Sequence, residues 1–167
     1  MYIMNDDAVL VSLTDFKAED GKPGMLTAKP TEVAHLGIGR PLGGKFDGRG
    51  CLYFADAVLG LARICLSKEA GAPKPNVELL ASRVQLEDGT WSPIVYADDL
   101  DIGPKTGHVY FSDASDVPTD KHEGKWDVLY SSKVECVRGT RSGRLLRDKP
   151  ETGDVDVLVT GLAFANG

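Results

Sequence analysis

The sequence predicts an all-β chain assembled from propeller-type blades, about three of them. Three observations carry that expectation. The 19 glycines and 9 prolines are spread between short β-type runs, a pattern of many turns and few helices. No stretch of 12 or more residues shows a clean apolar period of 3.6, so long amphipathic helices are not expected. A motif also recurs: Leu52-Tyr53-Phe54-Ala55-Asp56-Ala57 and Val109-Tyr110-Phe111-Ser112-Asp113-Ala114 stand 57 residues apart.

Apolar and aromatic runs bounded by Gly, Asp and Pro place the strands. In order they are Ala8–Leu13, Gly44–Phe46, Leu52–Asp56, Leu61–Leu66, Val77–Val84, Leu100–Ile102, His108–Ser112, Arg144–Arg147 and Val155–Thr160, with the start of another at the end. Pro73–Pro75 and Val117–Trp126 read as loops. The first repeat runs through Lys45-Phe46-Asp47, a Gly turn, the Tyr-Phe core and Gly60-Leu61-Ala62-Arg63-Ile64. The second runs through Asp101-Ile102-Gly103, a Gly turn, its own core and Gly143-Arg144-Leu145-Leu146-Arg147, with a longer insertion from Ser115 to Ser142. A four-stranded blade needs roughly 40–50 residues, so this period fits a blade with an inserted loop.

One blade cannot bury both of its faces alone and must stack on neighbours. The chain holds material for two fairly complete blades and pieces of two more. Residues 1–167 are therefore expected to form one partial propeller domain, truncated at both ends, whose open blade edges favour association.

Composition narrows the function. Hydrophobic residues make up 42% and charged residues 26%, as in an ordinary globular chain. The net charge of −6 repels a phosphate backbone, so nucleic acid is not an expected partner. A membrane-spanning helix takes roughly 20 apolar residues, and no run approaches that length. Met1–Asp7 shows no basic start followed by an apolar stretch, so no signal peptide is visible. Cys51, Cys65 and Cys136 are odd in number and lack a C-x-x-C pair; they are expected to be small buried thiols, without a zinc site or disulfide framework.

Several motifs carry no chemistry. Gly39-x-x-x-x-Gly44-Lys45 imitates a phosphate loop, but Phe46 stands where Ser or Thr would hold magnesium, and a strand follows. No Gly-x-Ser-x-Gly elbow and no His-Glu-x-x-His helix is present. His122 reads as a solvated loop residue and His108 as a strand-edge residue. Trp91 and Trp126 read as packing residues, Trp126 with the option of lining a pocket. Asp56 and Asp113 recur at equivalent positions, which argues for a structural role: a strand-end Asp accepts backbone N–H bonds from a turn.

Gly39-Arg40-Pro41-Leu42-Gly43, Phe46-Asp47, the first Tyr-Phe core and Gly60-Leu61 resemble a stretch of strictosidine-synthase-like proteins. So do Asp98-Asp99-Leu100-Asp101-Ile102, the second core through Ser115, Gly143-Arg144-Leu145-Leu146, Val157-Leu158 and Gly161–Gly167, in matching order and approximate spacing. The resemblance runs from about Asp15 to the last residue. It implies a six-bladed propeller with a small-molecule pocket at one end of a central channel. It also implies a full length about twice this one, and a secretory, endomembrane or vacuolar setting.

Aligning the repeats makes Leu42, Asp98 and Asn166 equivalent, each just before the innermost strand of its blade and facing the channel. Oxygen donors from separate blades suit a hard cation such as calcium. In lactonase relatives, Asn residues matching Asp98 and Asn166 contact metal or substrate, so both are candidate substrate-binding and metal-binding residues. The usual family residue at Asp98 is Asn, and the carboxylate here adds charge. An alternative is that both are plain turn residues.

The expected activity is hydrolysis of a small ester or lactone, with calcium polarising the carbonyl. One alternative is a carbon–nitrogen bond-forming, Pictet–Spengler-type synthase, whose late-blade glutamate has no counterpart in these residues. Another is a binding platform without catalysis.

Overall fold

The computed structural model describes residues 1–19, 22, 24–37, 39–67 and 75–166. The chain opens with an antiparallel sheet of β1 (Tyr2–Met4), β2 (Val9–Ala18) and β3 (Leu26–His35), in that order. A four-stranded antiparallel meander follows: β4 (Pro41–Phe46), β5 (Cys51–Asp56), β6 (Gly60–Cys65) and β7 (Val77–Ala81). A short hairpin, β8 (Arg83–Gln85) and β9 (Trp91–Pro93), leads to the second such sheet. That sheet begins with β10 (Ala97–Ile102) and β11 (Val109–Asp113). The insertion then forms a hairpin, β12 (Asp120–His122) and β13 (Lys125–Asp127), and one helix, α1 (Tyr130–Arg138). The sheet is completed by β14 (Gly143–Lys149) and β15 (Asp154–Leu162), in the order β10-β11-β14-β15.

The sheets stack face to face, and the pleat shows it. Successive side chains of a strand point to opposite faces. In β5, Leu52 and Phe54 enter one core with Leu10, Leu36 and Ile64, while Tyr53 and Ala55 enter a second with Leu100, Val109 and Phe111. Nearly every residue of β5 is therefore buried, the signature of a blade packed on both sides. In β11 only one face has this fate: Val109 and Phe111 are buried and Tyr110 is not.

The first strands of the two blades converge. β10 lies against β4 and β5, and a Cβ at Gly43 would come within 2.6 Å of the Asp99 Cα, so only glycine permits this approach. At the far edge β7 and β15 make no comparable approach, and a groove lies between them. Strands crowded at one edge and splayed at the other are the geometry of blades around an axis.

Several sequence expectations need correction. Val77–Val84 is not one strand: the chain leaves the sheet at Ser82, and Val84 turns into the inter-blade core, fully buried. Val117–Trp126 is not a plain loop, since β12 and β13 pair there around the Glu123-Gly124 turn, whose residues both take positive φ. The strand expected to start at the end is absent from Ala163–Asn166, and Gly167 lies outside the described residues, as do Pro73 and Lys74 of the expected Pro73–Pro75 loop.

The cysteines differ most. Cys51 and Cys65 face each other as register partners of β5 and β6 and form a disulfide, and Cys136 is exposed on α1 rather than buried. Strand pairing brings the two sulfurs together across a sequence separation of 14, which spacing alone does not disclose. Closing a loop of this size removes roughly 3 kcal/mol of unfolded-chain entropy. A thiol assay in non-reducing denaturant is expected to find the single Cys136 sulfhydryl, rising to all three cysteines after reduction. Three reactive thiols before reduction would refute the crosslink.

Candidate functional site

The two repeats build the same latch at the same end of each blade. The Asp56 Oδ1 accepts hydrogen bonds from the Arg40, Val58 and Leu59 amides at 3.0, 2.8 and 2.9 Å. The Asp113 Oδ1 accepts from the Val95 and Tyr96 amides at 3.0 and 2.8 Å. A backbone bond completes each latch, from the Ala57 amide to the Arg40 carbonyl and from the Ala114 amide to the Tyr96 carbonyl. The structural role expected for both aspartates is thus present, and each fixes the segment that enters an innermost strand.

The latches align Arg40 with Tyr96 and, two residues on, Leu42 with Asp98. Both β4 and β10 shift register there, between Pro41 and Gly44 and between Ala97 and Leu100. Leu42 and Asp98 therefore sit inside matching bulges within the innermost strands, rather than before them as the repeat suggested. A bulge bends the strand and re-aims its side chain.

Asp98 is 8% exposed as a residue, and among the described residues its carboxylate has neither a hydrogen-bond donor nor an ion-pair partner. Its oxygens are not among the fully buried partnerless atoms, which are Asp56 Oδ2 and Ser131 Oγ, so they keep contact with solvent. Burial, followed by the charge of neighbouring Asp99, pushes its acid up to about 6. Beside it, burial and then the Asp98 charge push the Tyr96 phenol up to about 12, and its hydroxyl donates to the Val128 carbonyl at 2.7 Å.

The insertion roofs this end. Tyr96 packs with Ala57 and Ala114, against half-buried Leu42 and Phe164, and the Tyr96 and Phe164 rings meet edge-on at 5.2 Å. The buried Glu135 on α1 accepts from the Phe164 amide at 3.3 Å and also holds Ser142, so helix, insertion exit and the end of β15 share one carboxylate. Sequence reading missed Glu135 and α1. The helix has nine polar-rich residues, no side-chain N-cap and no clear apolar stripe, and only Gly139 in the left-handed region marks its end.

Asn166 is exposed, and no hydrogen bond joins it to Asp98. Among the described residues, no group of three or more His, Cys, Asp or Glu side chains is placed to hold a metal. Trp126 takes no part in the Tyr96–Phe164 cluster; it is half-buried with the Lys121 ammonium 4.8 Å over its ring. His108 lies at the opposite end of the blade, 3.0 Å from Glu151, and near it Asp148 is a second buried carboxyl pushed up to about 6 by desolvation.

The raised acid at Asp98 carries a sign. Its folded pKa lies above the unfolded value, so the folded chain keeps a proton that the unfolded chain has lost. The associated stability is present below about pH 4 and lost as pH rises through 6. Asp98→Asn, which mimics the protonated form, is expected to be more stable than the parent at pH 7 by roughly 1–3 kcal/mol, with the difference vanishing near pH 4. Urea titrations of both proteins at the two pH values check this, and an equal difference at both would refute it.

Antiparallel four-stranded sheets, stacked on both faces and converging on their first strands, define this as part of a β-propeller. The family model described as strictosidine synthase matches residues 98–167. The chain is 35% identical over 149 residues to Protein STRICTOSIDINE SYNTHASE-LIKE 3 of Arabidopsis thaliana, covering 89% of this chain and 32% of that protein. It is 33% identical over 150 residues to the adipocyte plasma membrane-associated protein of Salmo salar, covering 88% of this chain and 30% of that protein. The chain belongs to the strictosidine synthase-like family. It spans about a third of the length of these relatives, less than the half expected from sequence. No helix among the described residues is long and apolar enough to cross a membrane.

Proposed function

We propose that the protein acts on a small molecule at the roofed end of the propeller channel, as a hydrolase of the esterase or lactonase type. The observation that carries this reading is Asp98: a mostly buried residue in a bulge of the innermost strand, whose carboxylate reaches solvent and has no donor or ion-pair partner among the described residues. A buried carboxylate without a donor is costly unless a cation, a proton or a ligand meets it. Calcium suits it, because hard cations take oxygen ligands.

Asp98 would supply the anionic ligand and Asn166 a neutral amide oxygen, and the remaining ligands would come from outside the described residues. Bound calcium would polarise the substrate carbonyl. Tyr96, Phe164 and Leu42 form the apolar wall beside Asp98, and the roof tied down through Glu135 would limit water.

The test is calcium-dependent hydrolysis of aryl esters and lactones by the full-length protein, with calcium affinity measured alongside. Asp98→Asn and Asn166→Ala are each expected to weaken calcium binding at least tenfold. If neither substitution changes calcium affinity or turnover, the site is wrong.

The Tyr96–Phe164 ring pair favours one other reading, a synthase that joins an aromatic amine to an aldehyde, in keeping with the family description. Product formation from tryptamine and secologanin, without added calcium, would select it over the hydrolase.

A further inference from the structure

Away from the channel, a groove of about 1100 Å3 lies between the outer strands. One bank is the end of β7 with the β8–β9 hairpin, and the other is Gly153–Thr160, which includes most of β15. Among the described residues the outer edge of β15 pairs with no strand. An unpaired edge presents a row of free N–H and C=O groups, a template for an added strand. Trp91, Leu158 and Val159 offer exposed apolar surface along it, at 56%, 40% and 43%.

The groove is also acidic. Glu87, Asp88 and Asp154 line it without an ion-pair partner among the described residues, whereas Asp156 is neutralised by Arg147 and Lys149. Among the described residues the one lining cation, Arg83, lies 4.5 Å over the Trp91 ring.

We propose that this groove binds an extended peptide in which basic residues alternate with apolar ones, added as a strand along β15. Main-chain hydrogen bonds to the free edge would supply affinity, and alternate side chains would supply selectivity. With a two-residue period, one set of side chains reaches Trp91 and the apolar bank, while the basic set meets the carboxylates at the hairpin tip and at Asp154. β15 has nine residues, so it can template a segment of about that length.

The experiment uses the full chain and a fluorescent ten-residue peptide of alternating Lys and Val. Anisotropy is expected to show saturable binding. It should weaken at least tenfold when Lys is replaced by Glu, and at least tenfold when alternate peptide nitrogens are methylated with charge retained. The double variant Glu87→Lys/Asp88→Lys should weaken the parent peptide at least fivefold. Hydrogen exchange should report new protection across residues 154–162 when the peptide is bound. Absence of saturable binding overturns the proposal. So does equal binding of the N-methylated peptide, which would mean charge attraction alone. Protection of 154–162 that rises with protein concentration without peptide would also overturn it, because a second copy would then occupy the edge.

Discussion

Replacing Asp113 by alanine is expected to cost the fold on the order of 3–5 kcal/mol, read as a lower urea midpoint at pH 7. One Asp113 oxygen holds the Val95 and Tyr96 amides and the other accepts from Nε and Nη2 of the Arg144 guanidinium, whose Nη1 donates to the Ser92 hydroxyl at 2.9 Å and whose Nη2 also donates to the Pro93 carbonyl at 2.7 Å. The Asp113 side chain is 2% exposed and that of Arg144 13%, so deleting the carboxylate strands a cation largely out of water. Most of the cost is that stranded charge, because breaking a buried pair costs more than the pair contributes. Two companion variants separate the parts. Asp113→Asn keeps an acceptor for the two amides and loses less. Arg144→Met in the alanine background removes the orphan cation and recovers part of the loss. A change under about 1 kcal/mol for Asp113→Ala would mean that the latch does not hold the entry to β10.

Truncating the inter-sheet aromatics is expected to be equally severe and face-selective. Phe54 and Phe111 are 0% and 1% exposed, in the cores on either side of the first blade. Each Phe→Ala change should cost about 3–5 kcal/mol from lost transfer energy plus the cavity left behind. Tyr110, next to Phe111 in the same strand, points to the open face; Tyr110→Ala should cost less than about 1.5 kcal/mol. Denaturant melts of the three variants decide the matter. Equal losses at Tyr110 and Phe111 would contradict stacking on one face of the second blade.

The fold was legible wherever local chemistry and global packing agree. The Tyr-Phe cores became β5 and β11 because a short continuous run of large apolar residues suits a strand buried on both faces or on one. Asp56 and Asp113 declared their structural role by recurring. What stayed hidden depends on distant partners. β3 carries Pro30 and mixed charges and is mostly exposed; such a sequence becomes a strand only as the edge partner of β2. The helix α1 is stabilised by Glu135 reaching Ser142 and Phe164, contacts that no periodicity encodes. The disulfide follows from register. At the candidate site, the equivalence of Leu42 and Asp98 was readable from the repeat, whereas their bulges, the desolvation of Asp98 and the roof above it come from tertiary structure. The pairing of Asp98 with Asn166 rests on the repeat alone.

The bulge at Leu42 and Asp98 lies beside the latch without taking part in it. Segment entry is fixed by Asp56 and Asp113, while the residue two positions past the latched amide sits in the bulge of the first strand whatever its chemistry, a leucine in one blade and an acid in the next. Scaffold upkeep and the chemistry of the bulge position are thereby assigned to different side chains. A lineage built on this plan can exchange a greasy, acidic or amide group at one spoke of the wheel by a single codon change, and the wheel stays true.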